Sequence, residues 1–337
     1  MGTKSRARGP EQQAARFRWR AVEGTRHAAR WIASPAPRRG GVGCVPARAT
    51  GPAHAPAARA VTLPTYTATL YLQPLREGGS LPAIVDTDGG GRWVVKFRGA
   101  GQGARSLLAE LIVGELAREL GLPVPELALI DVPPPFGRSE PDPEIQELLQ
   151  RSHGINVGLR YLDGAFNFDA YAAGSLVTPE LASAVVWLDA LTTNPDRTHR
   201  NPNLMVWDRR PWLIDHGSAL YAHHDWKTVD EARTRTPFPL TSKHVLLREA
   251  TMLEAVDGAL AAKLAPEVLA DVLSRVPDAL LLDEVAGREF ATGDEARERY
   301  VRYMSTRLEG PRPFVAEAVR AHETVLREPP RKLSARR

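Results

Sequence analysis

Ten residues near the middle of the chain hold its densest set of reactive side chains: Asn194-Pro195-Asp196-Arg197-Thr198-His199-Arg200-Asn201-Pro202-Asn203. Nineteen residues after Asp196 comes Asp215, within Leu213-Ile214-Asp215-His216-Gly217. Two aspartates at this spacing, with asparagines between them, have the logic of phosphoryl transfer. One carboxylate orients the accepting hydroxyl and takes its proton. A second carboxylate and an amide oxygen hold divalent metal where charge builds on the γ-phosphoryl oxygens. On this reading Asp196 is the base, Asp215 the chief metal ligand, and either Asn201 or Asn203 supplies the amide. Aspartate and asparagine also close turns that have no chemistry. Asp215, however, follows the apolar run Trp212-Leu213-Ile214, where an isolated charge is costly to leave unpaired.

A lysine on an apolar strand is the second feature. Lys96 stands in Val94-Val95-Lys96-Phe97; it is either an edge lysine facing water or a lysine reaching a fixed anion. Its partner is expected to be Glu110, which at 100° per residue shares a helix face with Leu107, Val113, Gly114 and Ala117, whereas Glu115 falls on a more polar arc. Such a pair would hold Lys96 towards the phosphates of ATP. Upstream, the turn Gly78-Gly79-Ser80 offers backbone N–H groups to phosphate, although no Gly-Lys-Ser/Thr follows as in a Walker A loop. The other candidates are weaker. His216, His223 and His224 match no standard zinc spacing and, beside Asp215 and Asp225, read as polar loop residues. Ser183 lacks a nucleophile-elbow context and reads as a helix residue. Trp187, Trp207, Trp212 and Trp226 read as packing, with Trp207 and Trp212 bracing the metal aspartate.

The elements that must position these groups change character along the chain. Tyr66–Leu72, Leu81–Thr87 and Trp93–Phe97 read as strands, the last two joined at the hairpin signal Asp88-Gly89-Gly90-Gly91. A helix is expected from about Ala104 to Leu120, stopped by Gly121 and Pro123. Val124–Val132 is a strand, residues 133–151 a Pro- and Glu-rich excursion, and Ile155–Tyr161 extended. Thr178-Pro179 gives an N-cap and a first-turn proline for a helix through about Leu191. Leu204–Trp207 and Trp212–Ile214 form a short hairpin. Most of 245–326 is helical, with Leu260, Leu264, Val268, Val272 and Val276 at helical spacing, and Thr292 with Glu295 makes a capping box for a helix through Leu308. A β-rich part followed by a helical part predicts an α+β fold with two lobes.

Charge divides the chain differently. Residues 1–60 carry a net +10 and residues 325–337 a net +4, leaving −10 on residues 61–324. The acidic body argues against nucleic-acid binding by the folded part. Residues 1–60, rich in Ala, Arg, Pro and Gly, are expected to be disordered, as is the basic tail 325–337. They are also expected to be dispensable, or even translated ahead of a start site placed too far upstream. No window approaches the run of about 18 apolar residues of a membrane span, and no apolar core follows the basic opening residues as in a secretory signal. The single cysteine, Cys44, excludes an intrachain disulfide and points to a reducing cytoplasm.

The chain resembles the HipA-type kinase family, specifically its short, single-domain bacterial members. The likeness rests on Leu81-Pro82-Ala83-Ile84-Val85, Trp93 through Gly99, Ala109-Glu110 through Pro125, Asn194-Pro195-Asp196-Arg197 and Leu213 through Gly217, and is dense over about 63–226. It implies a protein-kinase-like fold, with 61–163 as N-lobe and interlobe linker and 164–324 as C-lobe. It also implies ATP and Mg2+ as cofactors and phosphorylation of serine or threonine in an unidentified protein substrate. Asp196 would be the catalytic base, Asp215 a metal ligand, Lys96 the phosphate contact, and Ile155–Asp163 the linker whose backbone meets adenine. The family's usual spacing selects Asn201 for the metal, whereas the start of the apolar strand after Asn203 favours that residue. Residues 1–60 cannot supply the additional N-terminal domain of the toxin members, so neither toxin activity nor an antitoxin partner carries over. A small-molecule or lipid kinase, and a nucleotide-binding scaffold without catalysis, are the alternatives.

Overall fold

Alternating apolar residues, tight turns and two long non-local pairings build the first part of the fold into a barrel. The structure is a computed structural model and describes residues 62–75, 81–101, 103–283 and 289–329. The Gly78-Gly79-Ser80 turn, Cys44 and the expected disordered segment 1–60 lie outside the described residues, as does 330–337. Strands β1 (Thr65–Pro74), β2 (Ala83–Thr87) and β3 (Arg92–Lys96) form an antiparallel meander. The β2–β3 hairpin turns through Gly90 and Gly91, whose φ values of 78° and 83° are open to glycine at no steric cost. Helix α1 (Gly103–Leu120) follows, then β4 (Leu127–Val132), helix α2 (Pro143–Gln150) and β5 (Gly154–Arg160). β5 pairs with both β3 and β4, and β4 runs parallel to β1, closing the order β1-β2-β3-β5-β4. Closure leaves no edge in this sheet.

Two cores result. Val85, Trp93, Val95, Phe97 and Ile130 fill the barrel, where they meet Ile145, Leu148 and Leu149 of α2. The 133–151 excursion therefore contains a helix that the sequence reading left out. Asp142 caps it, accepting from the Glu144 N–H at 3.0 Å, and Pro143 occupies its first turn. Its three apolar residues stabilise it by covering the barrel, not by intrinsic propensity.

The larger core joins α1 to the remaining chain. This contains β6 (Phe166–Asn167), α3 (Ala170–Ala173), α4 (Pro179–Leu191), the hairpin of β7 (Leu204–Trp207) and β8 (Arg210–Leu213), and α5 (Glu231–Thr234). Then come α6 (Leu253–Lys263), α7 (Pro266–Ser274), α8 (Asp278–Leu281), α9 (Gly293–Leu308) and α10 (Pro313–Arg327). The fold is α+β, a barrel followed by a mainly helical part. Thr178 caps α4 through the Leu181 N–H and Thr292 caps α9 through the Glu295 N–H, as their sequences imply. The helical spacing from Leu260 to Val276 runs across a break, because Pro266 ends one helix and opens the next. At the far end α10 extends to Arg327, overlapping the expected start of the basic tail. No helix among the described residues is long and apolar enough to cross a membrane.

α1 is fixed to the helical part by more than apolar packing. Arg275, following α7, binds Glu115 and, at 2.9 Å, Glu119, both on α1. Lys263 donates to the Leu120 carbonyl at 2.9 Å. Glu115 is thus buried, 2% exposed, on an arc of α1 shared with Arg118 and Glu119; the covering cation follows a helix more than 150 residues away in sequence.

Candidate active site

Period two along β3 sends Trp93, Val95 and Phe97 into the barrel and Lys96 to the opposite face, against α1. There the Lys96 Nζ lies 2.7 Å from Glu110 Oε2 and 2.5 Å from Asp215 Oδ1. Lys96 is 6% and Glu110 0% exposed. The same Glu110 oxygen accepts the backbone N–H of His216 at 2.7 Å, so one carboxylate registers both the β3 lysine and the segment carrying Asp215. Burial opposes the Lys96 charge, but the Glu110 and Asp215 carboxylates outweigh it and hold the ammonium above its ordinary value. Burial likewise opposes ionisation of Asp215, and Lys96 more than offsets that, holding it below the usual carboxylate range. For Glu110 burial prevails and pushes the carboxyl up, against the pull of Lys96 and the His216 N–H. An ammonium has three N–H bonds; two are spent on carboxylates and one is left for an anionic ligand.

The Asn194–Asn203 loop closes on itself around Asp196. Asn201 Nδ2 donates to Asp196 Oδ2 at 3.0 Å, and Asn203 Nδ2 lies 3.3 Å from the same oxygen. The Asn203 amide is also 3.5 Å from the Asp215 carbonyl. Asn201 is exposed and Asn203 buried; of the two, Asn203 stands between the aspartates. Asn203 and Asp215 have φ of 48° and 56°, left-handed values that asparagine and aspartate tolerate far better than other non-glycine residues.

A buried ionic network lies under this loop. Arg197, 1% exposed, sends its guanidinium to Asp189 (2.6 Å), the carbonyls of Asn203 and Ile214, and His216 Nδ1 (3.2 Å). Asp189, on α4, also accepts from the Asn194 amide at 3.0 Å and lies 2.9 Å from His244 Nε2. Its burial is outweighed by Arg197, His244 and their hydrogen bonds, which keep the carboxyl well below the usual range. His216 is held neutral, its pKa down to about 3, first by burial and then by the adjacent Arg197. The Asn194–Asn203 loop, the segment leading to Asp215 and α4 are thereby tied at one guanidinium.

Lys96, Glu110, Asp196, Asn201, Asn203 and Asp215, singled out from sequence, converge in space. The network beneath them was missed. Asp189 did leave a signal: it is the one charge in Ala182–Leu191, an otherwise apolar helical run. His244 left none, being brought in by a distant turn that bridges to Thr198. His216, in the loop after β8, and His223, in a short helical turn, are both buried, and His223 Nδ1 meets the Tyr300 hydroxyl at 3.0 Å. Trp207 and Trp212 pack edge to face, 5.3 Å apart, and Trp207 Nε1 donates to the Asp163 carbonyl at 2.9 Å.

The donor set suits a hard cation. Among the described residues no group of three or more His, Cys, Asp and Glu side chains is arranged to cage a metal. Magnesium does not need such a cage, since it binds through one or two carboxylates together with substrate phosphates. A half-exposed Asp215 carboxylate next to the amide of Asn203 meets that requirement.

A family model described as HipA-like kinase matches residues 70–264, more than half of the chain. The chain belongs to the HipA-like kinase family. As a HipA-like kinase it is a phosphotransferase, and the matched span includes Lys96, Glu110, the Asn194–Asn203 loop and Asp215. No curated protein sequence matched. Among solved structures, the crystal structure of a Helicobacter pylori proinflammatory kinase, CtkA, is similar over 73% of this HipA-like kinase and 98% of its own chain, at 13% identity and a TM-score of 0.44.

Proposed function

We propose that this HipA-like kinase has the two-lobed protein-kinase architecture and transfers the γ-phosphoryl group of Mg-ATP to a serine or threonine hydroxyl of a protein. Residues 61–163 would be the N-lobe and linker and 164–324 the C-lobe, with 1–60 and 325–337 as extensions. The observation that carries the reading is Lys96, a buried cation shared by Glu110 and Asp215, beside an Asp196 carboxylate that meets Asn203. Glu110 fixes Lys96, and the remaining Lys96 N–H takes a phosphate oxygen. Asp215 and the amide oxygen of Asn203 would hold the magnesium ion, which would supply neutralisation of charge on the phosphates. Asp196 accepts a hydrogen bond from the acceptor hydroxyl, aligns its oxygen with the phosphorus, and receives the proton as the bond to phosphorus forms and the bond from phosphorus to the β,γ-bridging oxygen breaks, releasing ADP. The two asparagine amides keep that carboxylate oriented while leaving it room to accept.

The test is γ-labelled ATP with the wild type, Asp196→Asn and Asp215→Asn, each alone and with a cell extract. Asp196→Asn is expected to retain Mg-ATP binding and lose transfer. Asp215→Asn is expected to lose transfer and to weaken the magnesium dependence of nucleotide binding. Label on a small metabolite or lipid would replace the protein-kinase reading. Nucleotide binding with no transfer by the wild type would make the chain a scaffold, and transfer by Asp196→Asn at the wild-type rate would return the loop to a structural part.

A further inference from the structure

Asp215 enters the site through a left-handed backbone, φ 56°, and the residues on either side of it hold it there. On one side the Ile214 N–H donates to the Asn203 carbonyl at 3.1 Å. On the other, His216 makes two contacts with different elements. Its N–H donates to Glu110 Oε2 of α1 at 2.7 Å, and its Nδ1 lies 3.2 Å from Arg197 Nη2. Gly217 follows with no room for a side chain, since a Cβ there would stand 2.4 Å from the Oγ of Ser106, one turn before Glu110 on α1. The segment is thus pressed onto α1 while the imidazole meets the Asn194–Asn203 loop.

The imidazole contact runs one way only. A guanidinium donates and cannot accept, so Nδ1 is the acceptor and the ring proton sits on Nε2. That Nε2–H is buried and meets no acceptor among the described residues, an arrangement that costs stability. An apolar ring would fill the same space without that cost. Packing therefore does not account for a histidine here, whereas the acceptor at Nδ1 does.

We propose that His216 is a positioning residue for phosphoryl transfer: its Nδ1 sets the Arg197 guanidinium, and with it the loop carrying Asp196 and Asn203, in register with the Lys96–Glu110 pair that its own N–H engages. The proposal rests on the kinase reading above. The contacts are continuous. Arg197 reaches the Asn203 carbonyl, and Asn203 Nδ2 lies 3.3 Å from Asp196 Oδ2. In the other direction Glu110 Oε2 is 2.7 Å from Lys96 Nζ, which also meets Asp215. On the kinase reading Lys96 and Glu110 serve the nucleotide and Asp196 the acceptor hydroxyl, so His216 touches both halves. Any residue but proline can supply its main-chain bond; the side-chain bond needs an acceptor attached at Cγ. Loss of that acceptor is expected to shift the loop and leave the nucleotide contacts, lowering the transfer rate and not the affinity for Mg-ATP.

The experiment uses the full chain and measures labelled-phosphate transfer from saturating Mg-ATP, to the chain itself and to extract proteins, beside calorimetric Mg-ATP affinity and urea unfolding. His216→Phe keeps a ring and the main-chain bond and removes the acceptor. Its transfer rate per folded molecule is expected to fall about 10-fold, with affinity unchanged within about 2-fold. His216→Asn places an amide oxygen on Cγ, where Nδ1 stood, and is expected to recover most of the rate. His216→Gln, whose oxygen lies one bond farther out, is not; where His216→Phe does not fold, His216→Gln takes its place in each comparison. A wild-type rate in His216→Phe, corrected for the folded fraction, would make the histidine a packing residue and overturn the proposal. Equal losses in His216→Phe and His216→Asn would overturn it as well, since the acceptor would then contribute nothing. A fall in Mg-ATP affinity as large as the fall in rate would overturn the assignment to the loop. Absence of Asp196-dependent transfer by the wild type to any acceptor would overturn the kinase reading and this inference with it.

Discussion

Arg197→Met removes one charge from a site where it cannot be replaced by water. The arginine is 1% and Asp189 1% exposed, and Arg197 is the larger of the two attractions that keep Asp189 ionised. Methionine fills much of the volume, so the loss is mainly electrostatic: a buried carboxylate left with His244 and the Asn194 amide. Breaking one side of a buried pair costs about 3–5 kcal/mol. Because three further acceptors, on Asn203, Ile214 and His216, each lose a donor, the upper half of that range is expected. Adding Asp189→Asn removes the stranded charge, so the double variant should recover part of the loss, with a coupling of about 2 kcal/mol. Urea unfolding followed by tryptophan fluorescence measures this, provided the m-value is unchanged. A loss below about 1 kcal/mol in Arg197→Met, with additive effects in the double variant, would refute the idea that this network holds the Asn194–Asn203 loop.

Lys96→Met is expected to weaken Mg-ATP binding, and also to lower stability by about 3 kcal/mol because Glu110 and Asp215 lose a buried counter-ion; adding Glu110→Gln should restore most of the stability and none of the affinity, as calorimetric titration and urea unfolding would show. Stability should fall as pH drops below about 6.5, the free histidine value, because His223 is buried neutral in the fold and pushed well below that value by burial, then by His224 and Arg105. The unfolded chain binds the proton and the fold does not, so stability rises with pH in this window, by up to ~1.4 kcal/mol per pH unit for this residue. His223→Gln, which can still meet the Tyr300 hydroxyl, should flatten the slope of the urea midpoint between pH 7 and 5, and an unchanged slope would count against it. Arg275→Met, which leaves the buried Glu115 on α1 with Arg118 as its remaining ion-pair partner, is expected to cost about 2 kcal/mol and to weaken Mg-ATP binding through displacement of Glu110; unaltered nucleotide affinity would show that α1 keeps its position without this tie.

The site was more legible in sequence than its support. Lys96, Glu110, Asp196 and Asp215 each stood out because a charge sat where periodicity put apolar residues, or because turn residues clustered more densely than a turn needs. The more polar arc of Glu115 was legible but its burial was not, because helical periodicity assigns a face, not the element that will cover it, and Arg275 arrives from far along the chain. Helix α2 escaped because Pro143 and its glutamates mark a loop as readily as a capped first turn; only the barrel end it covers distinguishes them. The choice between Asn201 and Asn203 could not be made from spacing alone. What distinguishes the two in the fold, the burial of Asn203 and its approach to the Asp215 carbonyl, is a consequence of tertiary closure. Where local signals were strong, as at Thr178-Pro179 and Thr292 with Glu295, the helices begin where those residues indicate.

The ties on α1 bear on the thermodynamics of ligand capture. Arg275 and Lys263 fasten this helix to α6 and α7, and Glu110 on it already holds Lys96 and the His216 N–H without nucleotide. A protein that must swing such a helix inward pays for the ordering when its ligand arrives, and the cost appears as a large heat-capacity change and a smaller hydrodynamic radius. Here the ordering is complete beforehand. Nucleotide binding is therefore expected to show a small heat-capacity change, little compaction by small-angle scattering, and an association rate limited by diffusion and charge and not by rearrangement. Control of such an enzyme would then fall on steps other than assembly of the nucleotide site.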